Sequence, residues 1–320
     1  MKSVKLFCFG LLMAIAWTFA SGVWAQDSSQ SDSAAFVGRW DLTLKKSGHE
    51  YPSWIEIAQK EGKLSALFTG RWGNARHLPK IEINGTRLSF VSPKEEEGSK
   101  TDLTFEGALK GETLSGTVNG PDGSEWSWEA VKAPALDKRV SSAKWGKPVQ
   151  LFNGKDLSGW HGSKAGPPDW RVEGGNLVSP GNGPELISDE KFQDFKLHVE
   201  FNCGKDANSG VYLRGRYEVQ IETESQGEGP SHHTGGVYGF LAPKPEQPRS
   251  SDTWQTFDIT LVGRNVTVVL NGKTVIDDHE IPGITGGALD SHEGDPGPIY
   301  LQGSEKGHVL FRKITVTPAK

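Results

Sequence analysis

The sequence has little cysteine, no excess of positive charge and no apolar run long enough to cross a membrane. Its 320 residues include two cysteines and carry a formal net charge of −5. A mildly acidic chain lacks the basic surface that binds nucleic acid or anionic membranes. The apolar run at residues 6–16 is shorter than the roughly 20 residues of a membrane-spanning helix. We therefore expect neither a nucleic-acid partner nor a membrane span.

The first 25 residues have the pattern of a secretory signal peptide. Lys2 and Lys5 precede the apolar run, and smaller residues then lead to Ala25. A charged start, a short apolar core and a small residue at the cleavage point define such peptides, so we predict cleavage after Ala25 and a periplasmic or secreted protein. The polar, Ser-rich residues 26–35 are predicted to be a disordered lead-in. Cleavage leaves Cys203 as the single cysteine, so no intramolecular disulfide can form.

Frequent turns and short strand patterns predict an all-β fold with two domains. Gly (40) and Pro (18) together make up about a fifth of the chain, and no segment of adequate length has a helical period. Eight strand patterns in residues 36–132 predict a small antiparallel barrel or meander, which opens with a lipocalin-like Gly-x-Trp at Gly38. Residues 133–148 are predicted to be a linker. About eleven further strand patterns in residues 149–320 predict a jelly-roll sandwich.

Residues 210–222 carry the most informative pattern in the second domain. They read G-V-Y-L-R-G-R-Y-E-V-Q-I-E and predict one long strand. Side chains alternate between the two faces of a strand, so one face is apolar and is expected to meet the core. The opposite face carries a polar row, namely Tyr212, Arg214, Arg216, Glu218, Gln220 and Glu222. Such planar donors and acceptors suit recognition of sugar hydroxyls and carbonyls, with a solvated face of ion pairs as the alternative.

Several short motifs carry a family resemblance over residues 149–320. They are Leu151–Trp160 (L-F-N-G-K-D-L-S-G-W), W-R-V-E-G-G from Trp170, N-S-G-V-Y-L-R from Asn208, Y-E-V-Q-I from Tyr217, G-G-V-Y-G from Gly235, W-Q at Trp254, L-N-G from Leu270, I-Y-L-Q from Ile299 and V-L-F-R from Val309. This order resembles the 3-keto-disaccharide hydrolases, whose members are also described as 3-keto-glucoside 1,2-lyases and 3-keto-2-hydroxyglucal hydratases. The resemblance implies a concanavalin-like sandwich that acts on 3-keto-glycosides.

The sequence departs from that family pattern at two points. The family often continues its Leu-Gln with an acidic residue, His and Gly, whereas Gln302 is followed by Gly-Ser-Glu. The usual Phe-Arg-Asn-Ile is Phe-Arg-Lys-Ile at residues 311–314. The missing histidine leaves the fine specificity of this chain open.

The polar row supports elimination better than conventional glycoside hydrolysis. Conventional hydrolysis uses two carboxyl groups about 5–9.5 Å apart, whereas Glu218 and Glu222 are separated by roughly 13 Å along a strand. A ketone at C3 acidifies the hydrogen on C2, so elimination across C1–C2 needs one general base and donors to the enolate. We predict that Glu218 removes the C2 proton, while Arg214, Arg216 or Gln220 holds the enolate and neighbouring hydroxyls.

Other residues are candidates for contact with the substrate. His233 or Tyr238 could assist the leaving group, and Glu222 could bind a hydroxyl at the end of the polar row. Gln302 is either a substrate contact or a strand-end residue, and Trp160 either borders the cleft or anchors the first strand of the sandwich.

Metal binding has weaker support in the sequence. Adjacent histidines on a loop, such as His232 and His233, rarely ligate the same ion, so no metal site is predicted there. Residues 290–295 (D-S-H-E-G-D) are rich enough in oxygen to be a calcium candidate, but they match no spaced calcium loop, and an exposed acidic turn is the alternative.

The predicted partner is an oxidised sugar that another enzyme supplies. The chain has no dinucleotide fingerprint and no phosphate loop, so a separate sugar 3-dehydrogenase is expected to form the ketone. Two other functions remain open at this point. The first is a non-catalytic carbohydrate-binding module that uses the same polar face, and the second is a conventional glycoside hydrolase.

Overall fold

The computed structural model describes residues 33–71, 73–94, 98–136, 144–163, 168–179, 181, 184–223, 229–248, 250–304 and 307–320. The predicted signal peptide, most of the lead-in, Trp72 and residues 137–143 of the predicted linker lie outside these ranges. The described chain consists mainly of antiparallel strands in three sheets, which confirms the predicted all-β class. None of its helices is long and apolar enough to span a bilayer.

The N-terminal sheet is a meander whose first strand pairs with its last strand. Its described strands are β1 (Gly38–Lys46), β2 (His49–Lys60), β3 (Lys63–Thr69), β4 (Arg76–His77), β5 (Lys80–Asn84), β6 (Arg87–Ser92), β7 (Leu103–Lys110), β8 (Thr113–Asn119) and β9 (Glu125–Lys132). Their spatial order is β4-β3-β2-β1-β9-β8-β7-β6-β5, because β1 pairs with both β2 and β9. Hairpins occur at both Asn-Gly positions, but each asparagine ends a strand and does not enter the turn. Gly85 (φ 60°) and Thr86 connect β5 to β6, and residues 120–124 connect β8 to β9.

Aromatic contacts show that this sheet curls around its own core. Phe68 on β3 lies 5.4 Å, between ring centroids, from both Phe90 on β6 and Phe105 on β7. These strands are far apart in the order of the sheet, so the contacts can form only across its interior. Trp128 on β9 completes the cluster at 6.2 Å from Phe105. The sheet therefore has the barrel-like curvature that the sequence predicts.

The remaining strands form two sheets packed face to face. The larger contains β10 (Val149–Gln150), β12 (Arg171–Glu173), β13 (Asn176–Ser179), β15 (Phe195–Cys203), β18 (Gln255–Val262), β19 (Asn265–Leu270), β20 (Lys273–Glu280) and β22 (Val309–Pro318). The smaller contains β11 (Trp160–Gly162), β14 (Leu186–Phe192), β16 (Asn208–Leu213), β17 (Tyr217–Glu222) and β21 (Gly297–Leu301), in the order β11-β14-β21-β16-β17. One large apolar core, which includes Cys203, fills the space between them, as in the predicted sandwich.

The strands of the sandwich differ from the prediction at four places. β11 and β14 were not expected, because β14 carries Ser188, Asp189 and Glu190 in its middle and so lacks a clear apolar alternation. Residues 236–238 were expected to be a strand but make only single bridges through Val237. Residues 210–222 form two strands instead of one.

The outer face of the N-terminal sheet packs directly on the sandwich. Trp54 on β2 belongs to the core of the sandwich, where its ring lies 5.8 Å from that of Phe240. A β-carbon at Gly283 would overlap the Trp54 indole, so the glycine is required for this close approach. Arg39 bridges the two parts through Glu280, at 2.5 Å from Nη1 to Oε1.

A buried group of charged side chains also joins the two parts. Arg264 binds Glu293 through two hydrogen bonds, at 3.1 Å from Nε to Oε1 and 2.7 Å from Nη2 to Oε2. Asp41 of β1 is 4% exposed and hydrogen-bonds to Glu293. Burial, followed by the charge of Glu293, raises the pKa of Asp41 to about 9. Burial alone would also raise the pKa of Glu293, but hydrogen bonds from Arg264 and Asp41 outweigh it and lower that pKa. The shared proton therefore resides on Asp41 at neutral pH.

This arrangement predicts that stability falls as the pH rises. The folded protein keeps the Asp41 proton up to about pH 9, whereas the unfolded chain loses it near pH 4. Because the folded state binds the extra proton between these values, raising the pH favours unfolding by about 1.4 kcal/mol per pH unit from this group. Asp41→Asn, which resembles the protonated side chain, should remove this slope. Urea unfolding from pH 5 to pH 9 measures it.

Asp277→Asn is the matched control, since Asp277 is exposed on β20. The control should keep the wild-type slope. An Asp41→Asn protein whose stability depends on pH as steeply as that of the wild type would contradict the assignment of the shared proton.

Candidate active site

A three-residue turn interrupts the polar row of residues 210–222. β16 ends at Leu213 and β17 begins at Tyr217, which pairs with Leu213. Arg214 (φ 54°) and Gly215 (φ 69°) both adopt left-handed backbone, which reverses the chain. Glycine enters this region freely, but an arginine there costs roughly 1–2 kcal/mol. The predicted single strand is therefore a hairpin.

The turn keeps the predicted alternation because it has an odd number of residues. Val211, Val219 and the other apolar members of the segment face the core, as expected. The polar side chains remain together on the opposite face but are now paired across two strands. Tyr212 lies opposite Glu218, and Gly210 lies opposite Gln220. Residues that a single strand would hold far apart thus become neighbours.

These side chains face a cavity of about 440 Å³ on the side of the smaller sheet away from the sandwich core. A volume of this size is typical of small-molecule sites. The described residues that line it are Gly73, Glu185, Asn208, Tyr212, Glu218, Gln220, Tyr238, Gly286, Gly287, Tyr300, Gln302, Gly303 and Ser304. Two glutamates, three tyrosines and three amides belong to this set, and none of these described lining residues is a lysine or arginine.

Glu218 is buried and is hydrogen-bonded to a tyrosine. Its side chain is 2% exposed, and its Oε2 lies 2.8 Å from the Tyr212 hydroxyl. The same hydroxyl lies 2.8 Å from the carbonyl oxygen of Gly286. A tyrosine hydroxyl has one proton to donate, so it can serve only one of these acceptors at a time. Burial, followed by the charge of Glu218, raises the pKa of Tyr212 well above its ordinary value.

A second tyrosine and carboxylate stand beside the first pair. The rings of Tyr212 and Tyr300 are stacked with 4.2 Å between their centroids. Tyr300 hydrogen-bonds to Glu185, which also accepts a hydrogen bond from Ser163. Burial, followed by the charge of Glu185, raises the pKa of Tyr300. Both tyrosines therefore remain protonated, and each can donate to a carboxylate.

Amide side chains supply unsatisfied acceptors to the cavity. Gln220 donates through Nε2 to Asn208 Oδ1 at 3.0 Å. The Oε1 atoms of Gln220 and Gln302 are buried and have no hydrogen-bond partner among the described residues. Leaving a buried polar atom unpaired costs roughly 1–3 kcal/mol. A ligand with several hydroxyl groups would satisfy both oxygens.

Of the predicted site residues, the structure brings Glu218, Gln220, Tyr238 and Gln302 to this cavity and leaves five others outside. Arg214 leaves the row because its left-handed backbone turns the side chain toward the core. It is fully buried, and its Nη2 donates to Gly263 O at 2.8 Å and to the Tyr217 hydroxyl at 3.0 Å.

The other four predicted residues also lie outside the lining of this cavity. Arg216 pairs with Asp290, at 2.6 Å from Nε to Oδ1, since it belongs to the turn and not to a strand. Glu222, the last residue of β17, pairs with the lining residue Asn208 but does not itself line the cavity. His233 faces Glu246, at 2.8 Å from Nδ1 to Oε1. Trp160 is an anchor of the sandwich, where its Nε1 donates to Leu151 O at 2.9 Å.

Sequence reasoning missed several residues that lie at the site. Asn208 and Tyr300 were quoted within motifs but not assigned a role, and the alternation that singled out Glu218 could have been applied to them. Glu185 precedes the unrecognised strand β14, so no sequence signal pointed to it. His232, rather than its neighbour, packs against the cavity residue Tyr238, with 4.4 Å between ring centroids.

The acidic segment 290–295 uses carboxylates in ion pairs with arginines. Asp290 binds Arg216, and Glu293 binds Arg264. Among the described residues, no group of three or more His, Cys, Asp or Glu side chains is arranged to hold a metal ion.

Comparison with known proteins links this region to carbohydrate-active families. The model of the 3-keto-alpha-glucoside-1,2-lyase-like domain matches residues 147–317. A relative from Bacteroides thetaiotaomicron, named 3-keto-disaccharide hydrolase, is 28% identical over 95 residues, which cover 26% of this chain and 33% of the relative. The aligned region thus spans only about a third of that relative's length.

Solved structures with similar folds include two crystal structures of candidate glycosyl hydrolases from Parabacteroides distasonis ATCC 8503. One is 24% identical, has a TM-score of 0.46, and covers 58% of this chain and 93% of that chain. The other is 17% identical, has a TM-score of 0.47, and covers 58% of this chain and 99% of that chain.

The packing of Glu218 on Gly210 makes a testable prediction. A β-carbon at Gly210 would lie 2.7 Å from Glu218 Cγ and still closer to Oε1. Gly210→Ala should therefore displace the carboxylate from the Tyr212 hydroxyl and destabilise the fold by roughly 1–3 kcal/mol. A crystal structure of the variant and its urea unfolding curve measure the two effects.

Gly229→Ala is the matched control, because a β-carbon there meets no atom within 4 Å. If Gly210→Ala kept the Glu218–Tyr212 contact and were as stable as Gly229→Ala, the glycine at position 210 would not be needed.

Proposed function

Because the chain belongs to the 3-keto-alpha-glucoside-1,2-lyase-like family, we propose that its cavity cleaves or hydrates 3-keto-glycosides. The observation that carries this proposal is a buried carboxylate, Glu218, held by a tyrosine that has a second acceptor within reach. The name of the Bacteroides thetaiotaomicron relative, 3-keto-disaccharide hydrolase, supports the same substrate class. The reaction removes the C2 proton, eliminates the leaving group from C1 and adds water to the product.

Glu218 is the general base in this proposal. Tyr212 and Tyr300 stay protonated and so are not available as bases, because burial and neighbouring carboxylates raise the pKa of both hydroxyls. A carboxylate in the same cavity can accept a proton from a carbon that the adjacent ketone has acidified. Glu218 takes the hydrogen on C2 as a proton, and the electron pair of the broken C2–H bond moves toward the C3 oxygen.

Tyr212 lets Glu218 change protonation without losing a hydrogen bond. When Glu218 is ionised, the Tyr212 hydroxyl donates to its Oε2. When Glu218 is protonated, it donates to the tyrosine oxygen, and the hydroxyl turns to Gly286 O. Rotation of one O–H bond connects the two states. Glu218 therefore has a hydrogen bond with Tyr212 both before and after proton transfer.

Proton transfer to Glu218 also conserves the charge of the cavity. The negative charge moves from the carboxylate to the sugar enolate, so the buried site gains no net charge. This matters because burying an additional charge is costly, and no described lining residue is a lysine or arginine. Neutral donors replace the arginines that the sequence predicted, and the amide groups of Asn208 and Gln302 are the candidates to hold the enolate oxygen and nearby hydroxyls.

Glu185 is the candidate acid for the leaving group. Cleavage of the C1–O bond leaves an electron pair on the departing oxygen, which takes the proton that Glu185 carries at this step, and water returns a proton to Glu185 before the next turnover. Glu185 lines the same cavity and hydrogen-bonds to Tyr300. The presence of two carboxyl groups also favours a second candidate function, conventional glycoside hydrolysis, which uses such a pair directly. Sugar binding without turnover would instead identify a carbohydrate-binding module.

The proposal extends to the protein's location and its supply of substrate. The N-terminal pattern supports export to the periplasm or medium. The substrate must already carry its ketone, so a separate sugar 3-dehydrogenase is proposed to act first.

Replacement of Glu218 tests the base. Glu218→Gln keeps the shape of the side chain but cannot accept the C2 proton, so turnover of a 3-keto-disaccharide should fall on the order of 10²–10⁴-fold. Steady-state rates measure the loss. Glu190→Gln, an exposed change on β14, is the control and should retain the wild-type rate. Near-normal turnover by Glu218→Gln would exclude Glu218 as the base.

Solvent deuterium distinguishes elimination from direct hydrolysis. In D2O the wild-type enzyme should place deuterium at C2 of the released 3-keto-sugar, because the C2 proton is exchanged during elimination and hydration. The unoxidised disaccharide should not be cleaved. Cleavage of that parent sugar, with retention of its C2 hydrogen, would instead identify a conventional glycoside hydrolase. Samples without enzyme correct for spontaneous exchange.

Replacement of Glu185 tests the acid through the leaving group. Glu185→Gln should slow release of a sugar, a poor leaving group, by on the order of 10²-fold or more. It should have far less effect on a nitrophenyl 3-keto-glucoside, whose leaving group needs no proton. Comparing the two substrates in the wild type, Glu185→Gln and Glu190→Gln measures the difference. Equal losses on both substrates would remove Glu185 from this role.

A further inference from the structure

The N-terminal sheet reaches the cavity through the residues between β3 and β4. Gly73 is one of the lining residues of the cavity. Arg71 O accepts a hydrogen bond from the backbone N–H of Gly287, another lining residue, at 3.0 Å. The backbone of Ala75 approaches Gly239 so closely that a β-carbon added to Gly239 would lie 2.9 Å from Ala75 N. The N-terminal sheet is therefore in contact with the lining residue Gly287 and with Gly239, which follows the lining residue Tyr238.

Asn74 connects this segment to a ring that faces the cavity. Its Oδ1 is hydrogen-bonded to His232 Nε2. His232 is 2% exposed, and its ring packs on that of Tyr238, with 4.4 Å between the centroids. Tyr238 lines the cavity, and its backbone N–H donates to Glu218 O at 3.1 Å. A chain of contacts thus runs from Asn74 to the substrate side of the site.

The segment is itself held firmly against the N-terminal sheet. Arg76 donates to Asn74 O at 3.1 Å through Nη1 and to Ser92 Oγ at 2.6 Å through Nη2. Its guanidinium lies over the ring of Phe68, at 5.2 Å from the centroid. Asn74 is consequently held by contacts within the N-terminal sheet, while its side chain binds His232 of the sandwich.

We propose that residues 73–76 of the N-terminal sheet form a wall of the substrate cavity, and that Asn74 is a positioning residue that fixes His232 and, through it, Tyr238. This inference rests on the proposed function and specifies how the site is completed. Asn74 Oδ1 can only accept, so His232 must carry its proton on Nε2. Tyr238 then has a single ring orientation against the bound 3-keto-sugar, and the N-terminal sheet contributes to substrate affinity.

Substitution of Asn74 in the full-length chain tests this role. Asn74→Ala should raise KM for a 3-keto-disaccharide about tenfold and change kcat less than twofold, because the contact orients a binding ring and does not transfer a proton. Asn74→Asp should restore KM, since a carboxylate oxygen also accepts from Nε2. Asn84→Ala, an exposed change elsewhere on the N-terminal sheet, should match the wild type. Melting temperatures of all variants are measured in parallel.

A readout that does not depend on turnover separates the two proposals. Nitrogen-15 spectra of the histidine rings should show the Nε2–H form of His232 in the wild type and in Asn74→Asp, and a mixture of forms in Asn74→Ala. An Nδ1–H form in the wild type, or an unchanged KM in Asn74→Ala, would overturn the positioning role. A wild-type protein that shows the Nε2–H form but cleaves no 3-keto-glycoside would instead overturn the proposed function.

Discussion

The cavity depends on the turn at residues 214–216, where left-handed backbone at Arg214 and Gly215 reverses the chain. Without this reversal, Tyr212 and Glu218 would be six positions apart on one strand, or about 20 Å. With it, they face each other at hydrogen-bond distance. The buried guanidinium of this arginine donates through Nη2 to Gly263 O and to the Tyr217 hydroxyl. An arginine predicted to act on substrate therefore lies in the turn that builds the site and outside the lining of the cavity.

Burial determines which chemistry the cavity can perform. Its acids are glutamates paired with tyrosines, and the described lining residues provide no cationic side chain to neutralise new charge. A reaction that transfers charge from Glu218 to the substrate fits this environment, because the total charge stays constant. Unpartnered amide oxygens on Gln220 and Gln302 add a preference for a ligand rich in hydroxyl groups. The same polar residues thus favour both a sugar as ligand and proton abstraction as the first step.

The fold was largely predictable because it follows from local patterns. Alternating apolar residues and Asn-Gly turns located most strands of the N-terminal sheet, and the alternation in residues 210–222 separated the core face from the polar face. β14 was missed because its central residues are polar, so its pairing with β21 depends on tertiary contacts. Residues 210–222 were predicted to form one long strand because an arginine at position 214 does not indicate a left-handed backbone. At β14 and at the hairpin, tertiary packing determines a structure that differs from the one the local pattern predicts.

The sequence by itself determined that residues 210–222 have one apolar and one polar face, since alternation survives an odd-numbered turn. It also placed Glu218 and Gln220 on the polar face, and the short motifs made Tyr238 and Gln302 candidates; all four line the cavity. Only the tertiary structure decided that Glu185 and the stacked tyrosine pair belong to the site, and that Asn74 of the N-terminal sheet reaches it. These residues are distant along the chain, and the contacts that join them arise from the packing of three sheets, which no local pattern encodes.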